Sequence, residues 1–205
     1  SFSANRIPFT NASATALTDS SNFTFDGSNL GLGGQQGIAF GGTRYLYASS
    51  TNDSITFGEN AGSALLGDGL DNILIGLESG HLLTTADYNV ALGTYSLRNA
   101  TSSSRNIAIG EQALEALTGG DNNVAIGYKV GESLTSGVHN VGVGNFALFS
   151  AVSGSFNTGV GHSALSELID GTYNSAFGEN AGEHLATGTL NVLAGYGAAQ
   201  DATNT

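Results

Sequence analysis

The sequence predicts a mainly β fold, a repeat solenoid of 17-residue units in which a short parallel strand alternates with a helical turn or loop. Three observations predict it. The pentad Asn106-Ile107-Ala108-Ile109-Gly110 returns 17 residues later as Asn123-Val124-Ala125-Ile126-Gly127. A glycine closes an apolar triplet at 41, 58, 76, 93, 110, 127, 144, 161, 178 and 195, and every step is 17 except 58 to 76, which is 18. The residue four before each of the last eight glycines is Asn72, Asn89, Asn106, Asn123, Asn140, Asn157, Asn174 and Asn191. A fixed short period marks units that bury their apolar faces only by stacking on their neighbours.

Residues 1–36 lie outside this frame. Ile7-Pro8-Phe9 and Asn22-Phe23-Thr24-Phe25-Asp26-Gly27 alternate over short runs between Asn, Ser and Thr clusters, the pattern of a lead-in shaft of short strands and turns. The solenoid occupies residues 37–205. Its first unit is degenerate, with Arg44, Tyr45 and Tyr47 where later units carry Ala and Leu, as expected of a cap.

Within a unit the triplet, such as Val90-Ala91-Leu92 or Val141-Gly142-Val143, places β-formers on one face and a small residue on the other. The second half, as in Glu111-Gln112-Ala113-Leu114-Glu115-Ala116-Leu117, spaces apolar residues by three and four and ends at Gly120, and the copy at 162–168 ends likewise at Gly171. That spacing predicts a short helix with a glycine C-cap in some rungs and an irregular loop in poorer helix formers such as 99–104.

Each column has a physical reading. Stacked asparagines can pass amide hydrogen bonds from rung to rung, which makes the eight a structural ladder. The glycine after each triplet turns the corner, through a positive φ or a close backbone approach. The small middle column, Ala91, Ala108, Ala125, Gly142, Gly159 and Ala176, suggests a second surface very close by. The reading is a symmetry mate around a narrow axis, with the large flanks, Val124 and Ile126 among them, turned into their own rung. A single-chain solenoid with a thin interior is the alternative.

Composition restricts the functions available. Seventeen acidic residues against five basic ones give a formal net charge of −12, so no groove that neutralises phosphates is expected, and nucleic acid and anionic membranes are disfavoured partners. No apolar run is long enough to cross a bilayer, so no membrane insertion is expected. The absence of cysteine removes disulfides and thiolate metal sites and fits exposure outside a cell. Starting at Ser1 without methionine, the chain reads as a piece of something longer.

Catalytic residues are not expected, nor is a cofactor. His81, His139, His162 and His184 fall at different phases of the repeat, and no Ser-His-Asp or paired-carboxylate arrangement stands out. Asp68 and Asp71 lie in a Gly-Asp segment similar to one calcium-binding nonapeptide repeat. Such a site needs neighbouring copies to complete its oxygen shell, so a plain loop is the reading and no metal is assigned. Tyr95, Tyr128, Phe146 and Tyr196 follow corner glycines on outward phases and are the candidate ligand-binding residues, able to stack on sugar rings or on the next rung. A flat threonine or aspartate column of the kind an ice- or mineral-binding surface needs is not expected.

The unit Asn-x-Ala-Ile-Gly-x-x-Ala-Leu-x-x-Leu-x-x-Gly resembles the repeats of phage tail-fibre-type proteins and, more distantly, the Val-Ala-Ile-Gly head repeats of trimeric autotransporter adhesins. The segment from Ile7 to Gly27 resembles what precedes such arrays. The resemblance implies a homotrimer in a parallel β-helix or β-roll, extracellular or on a virion surface, serving as a non-enzymatic stalk or receptor-binding fibre that attaches to a cell-surface glycan or protein. A bacterial trimeric surface adhesin is the close alternative, and a polysaccharide-active β-helix enzyme or an ice-binding protein the more distant ones. The 17-residue period departs from the shorter rung of the autotransporter heads.

Overall fold

The computed structural model describes residues 53–65 and 69–199, together with the strand backbone at residues 6–10, 17–25, 30–32, 38–40 and 43–48. Three early strands, β1 (Arg6–Thr10), β2 (Leu17–Phe25) and β3 (Leu30–Leu32), form an antiparallel sheet in sequence order. A second sheet begins with β4 (Ile38–Phe40) and β5 (Thr43–Ala48), an antiparallel pair. It continues through nine triplet strands: β6 (Ile55–Phe57), β7 (Ile73–Ile75), β8 (Val90–Leu92), β9 (Ile107–Ile109), β10 (Val124–Ile126), β11 (Val141–Val143), β12 (Thr158–Val160), β13 (Ser175–Phe177) and β14 (Val192–Ala194). β5 meets β6 antiparallel, and from β6 to β14 every neighbour is parallel. The chain is a parallel β-solenoid in which each unit returns to the sheet beside its predecessor.

Register follows the repeat: Val124 lies between Ile107 and Val141, Ala125 between Ala108 and Gly142, and Ile126 between Ile109 and Val143. The insertion between 58 and 76 leaves Ile55 opposite Ile73 and Phe57 opposite Ile75, so the turn absorbs the extra residue. The corner glycine does both things expected of it. At Gly93 φ is +142°, and a Cβ there would sit 2.5 Å from the carbonyl oxygen of Gly110. Any side chain would push adjacent rungs apart.

The second half of the unit is not helical in any described rung, which corrects the sequence expectation. From Gly110 the backbone makes successive tight turns: Ala113 N–H reaches Gly110 O, Glu115 N–H reaches Gln112 O and Leu117 N–H reaches Leu114 O. Gln112 and Leu114 have φ of 59° and 53°. Alternating left-handed residues cannot continue a right-handed helix. They turn amides towards neighbouring rungs instead, as Leu114 N–H donates to Val130 O at 3.0 Å and Gln112 N–H to Thr94 O at 2.9 Å. Stacking thus supplies the hydrogen bonds that an isolated helix would make within itself. Gly120 and Gly171 are therefore not C-caps and show no left-handed φ; a Cβ at Gly171 would meet the Gly188 carbonyl at 2.6 Å.

The strand orientation also reverses the expectation. The middle residue of each triplet from β6 to β13 is buried and its flanks are not: Ala125 is 1% exposed, whereas Ile126 is 38% exposed. The small column is the solenoid's own thin interior. Leu97, Leu114, Leu148 and Leu165 enter the core from the opposite wall, leaving room for only Ala or Gly on the strand side. Where that wall has Gly80 the strand contributes Leu74, and a Cβ on Gly80 would lie 2.9 Å from Leu74 Cδ1. The alternative of a thin single-chain interior holds for the middle column.

Candidate functional site: the ladder and the exposed columns

The asparagine column is a continuous hydrogen-bonded ladder. Asn106 Oδ1 accepts Asn123 N–H at 2.9 Å and Asn123 Nδ2 at 3.1 Å, and the same pair of bonds recurs from Asn72 up to Asn191. Each Nδ2 from Asn72 to Asn174 also donates to the carbonyl 14 residues ahead, as Asn123 does to Gly137 O at 2.9 Å. Asn72 to Asn174 are buried, so the ladder lies inside and offers no polar track to a ligand. Ser54 stands at the asparagine phase of the preceding rung, and its Oγ accepts Asn72 N–H at 3.0 Å. A hydroxyl thereby caps the column's first amide.

The outward face of the sheet carries the flanks of the triplets in two columns. Phe57, Ile73, Ile75, Ile107 and Ile126 are all exposed, Phe57 at 54%. Of the 18 flanking positions only Thr158 and Ser175 are polar, and none is charged. This is a mainly aliphatic, apolar strip of roughly 38 Å, taking nine strands about 4.8 Å apart, on a strongly acidic chain.

The aromatic candidates divide. Tyr128 and Phe146 meet edge to face with centroids 5.3 Å apart, and Phe146 repeats this with Phe149 at 5.7 Å and His162 at 5.9 Å. The Arg98 guanidinium covers the Tyr95 ring at 4.7 Å. Tyr128 and Phe146 thus pack between rungs, and Tyr95 packs against a cation of its own rung. Tyr196 is 76% exposed in the last described rung. Asp71 is exposed with φ of 54°, Asp68 lies outside the described residues, and no group of three metal-ligating side chains occurs among the described residues.

Two columns were missed in the sequence. Thr84, Thr101, Thr118 and Thr135 occupy one phase in consecutive rungs, contrary to the expectation of no threonine column. Each hydroxyl donates to a carbonyl of the next rung, Thr84 Oγ1 to Thr101 O at 3.0 Å and Thr135 Oγ1 to Val152 O at 3.0 Å, so these donors are already used. The second column lies one residue before each asparagine and is left-handed throughout: Asp71, Tyr88, Arg105, Asn122, His139, Phe156, Tyr173 and Leu190 have φ of 54–63°. His139, Phe156 and Tyr173 stack at 5.0 Å and 4.9 Å with interplanar angles of 14° and 7°. Their ring faces are turned to one another along the solenoid axis.

Comparison with protein families, with curated proteins and with solved structures finds no match.

Several of the described acids serve as braces. Asp87 Oδ1 and Asp121 Oδ1 each accept a backbone N–H of the preceding rung at 2.8 Å, from Leu70 and Ser104. Arg98 bridges rungs to Glu78 at 2.7 Å and Glu115 at 3.6 Å, and Lys129 holds Glu132 at 2.9 Å. Desolvation pulls the Arg98 pKa down, but the bond and charge of Glu78, with Glu115, outweigh it and leave the pKa raised. The hydrogen bond to Glu132 raises that of Lys129. These cations stay charged across the physiological range; Arg98 ties three rungs together, and Lys129 braces its own.

Proposed function

We propose that this chain is a segment of a non-enzymatic structural and adhesive fibre, of the phage tail-fibre type, that associates as a homotrimer on a virion or other extracellular surface and presents a binding end to a cell-surface glycan or protein. The observation that carries this reading is the long apolar strip on the sheet's outward face, interrupted only by Thr158 and Ser175. A contiguous apolar surface of that length on a chain of net charge −12 is what an association surface looks like. The self-repeating backbone adds reach at one rung per 17 residues without needing a globular core. A surface adhesin built on the same rung is the second reading, supported by the same strip.

Sedimentation equilibrium tests the assembly: three times the 20.6 kDa chain mass is expected. A glycan array tests attachment, and incubation with candidate polysaccharides followed by product analysis should show no cleavage. Release of shortened oligosaccharides would replace the fibre reading by the enzymatic one.

A further inference from the structure

Resting on the fibre reading above, we propose that copies of this chain lie side by side, parallel and in register, with the aliphatic strip facing inward and Arg105 of one copy set opposite Glu111 of the next. The partner is a second copy of this chain, and four observations carry the proposal.

The first is area. The strip alone is about 38 Å by about 10 Å, near 400 Å², half of the roughly 800 Å² per partner that a stable interface buries. Widening it by two residues at each side, to the columns of Arg105 and Glu111, brings the span to at most about 20 Å and the area to about 760 Å². Those bordering columns are therefore expected to take part.

The second is polarity along the strip. Its only polar side chains, Thr158 and Ser175, sit towards one end. A parallel arrangement sets Thr158 and Ser175 near their own copies. A fully overlapped antiparallel one sets β13 against β7, and the Ser175 hydroxyl against Ile73, without a partner.

The third is charge. Arg105 lies two residues before β9 and Glu111 two residues after it. Both are exposed, and neither forms an ion pair among the described residues, although Arg98 and Lys129 do. In a closed ring of parallel copies the leading border of one strip meets the trailing border of its neighbour at the same height. That geometry supplies each charge with the opposite partner that its own chain lacks.

The fourth is that charge conflict is confined to one end of the strip. The same rule sets Asp71 against Leu77, Tyr88 against Thr94 and Tyr173 against Glu179. From β7 to β14 no two like charges face each other, and at β6, the first rung of the strip, Asp53 and Glu59 form the one like-charge pair.

The chain has no cysteine, so introduced thiols are the only ones present. The parent is first sedimented: a monomer at micromolar concentration removes both the fibre's oligomeric reading and this interface. With an oligomeric parent, the variant Arg105→Cys/Glu111→Cys should oxidise to a ladder of linked chains that ends at the sedimented subunit number. Each single variant should stay unlinked. Arg105→Glu should raise the dissociation constant at least about tenfold by setting two acids together, and Arg105→Glu/Glu111→Arg should bring it back to near the parent value. An oligomeric parent whose double-cysteine variant stays unlinked, or whose Arg105→Cys variant links as readily as the double one, overturns the register and leaves the fibre reading standing. Failure of the double reversal to restore association does the same.

Discussion

Leu74 occupies the space that Gly80 leaves: a Cβ placed on Gly80 would lie 2.9 Å from both Leu74 methyl carbons. The next rung inverts the pair, with Ala91 on the strand and Leu97 on the facing wall, and all three larger side chains are fully buried. Between the Leu74 and Ala91 rungs interior volume is conserved while its source switches walls. Neither position is free to change alone.

Leu74→Ala should therefore cost about 2–5 kcal/mol through the cavity it opens, and Gly80→Leu about 1–3 kcal/mol through overpacking. The double variant Leu74→Ala/Gly80→Leu recreates the pairing of the Ala108 rung, where Leu114 stands at φ of 53° with Leu117 at the phase of Leu83, and should recover much of both losses once Leu83 Cδ1, 2.7 Å from that Cβ, gives way. Chemical denaturation of the three variants gives the coupling; strict additivity would refute the shared-volume account.

The ladder gives a second test. Asn140→Val removes a group that accepts from Asn157 N–H and Asn157 Nδ2 and donates to Asn123 Oδ1 and Gly154 O, all in buried surroundings. Each buried group left unpartnered should cost about 1–3 kcal/mol. Ser136→Val, at an exposed position, is the control. Equal unfolding midpoints for the two variants would show that the ladder is not a stabilising element.

Much of this fold was legible because stacking forces like onto like. Asn106, Asn123 and Asn140 repeat because each amide must find the next one at the same height. The corner glycines repeat because any Cβ meets the adjacent rung. The orientation of the strands was not legible: Ile107 and Ile109 look like core residues, yet the wall carrying Leu114 fills the interior first. Nor could spacing separate a helix from a run of turns, since Ala113, Leu114 and Leu117 point inward in either conformation. The column of Arg105, His139 and Phe156 was hidden because its residues share only a left-handed φ, which side chains of many types accept at a modest strain.

Ser103 offers a gain in stability. Its Oγ is buried with no hydrogen-bond partner, while the same phase in other rungs carries Ala86 or glycine. Ser103→Ala keeps the carbonyl that accepts Asn89 Nδ2 and removes an unsatisfied hydroxyl. The variant should be as stable as the parent or more stable by up to about 1 kcal/mol. A clear drop in the thermal midpoint would mean that the hydroxyl has a partner after all, such as a bound water.

The last test separates the two faces of one strand. Ala125 faces the interior between Ala108 and Gly142, and Ile126 faces outward beside it. Ala125→Phe adds a ring where a methyl fits, and overpacking of that size typically costs about 1–3 kcal/mol or more. It should lower the thermal midpoint of the chain at every protein concentration. Ile126→Asp leaves the interior untouched and puts a charge on the aliphatic strip, so it should spare the fold but abolish association. Its midpoint should then cease to rise with protein concentration, whereas that of an associating parent keeps rising by mass action. Circular dichroism melts at several concentrations, read beside light scattering, distinguish the two. If Ala125→Phe dissociates the protein without loosening the fold, or if Ile126→Asp unfolds it, the assignment of inner and outer faces is wrong.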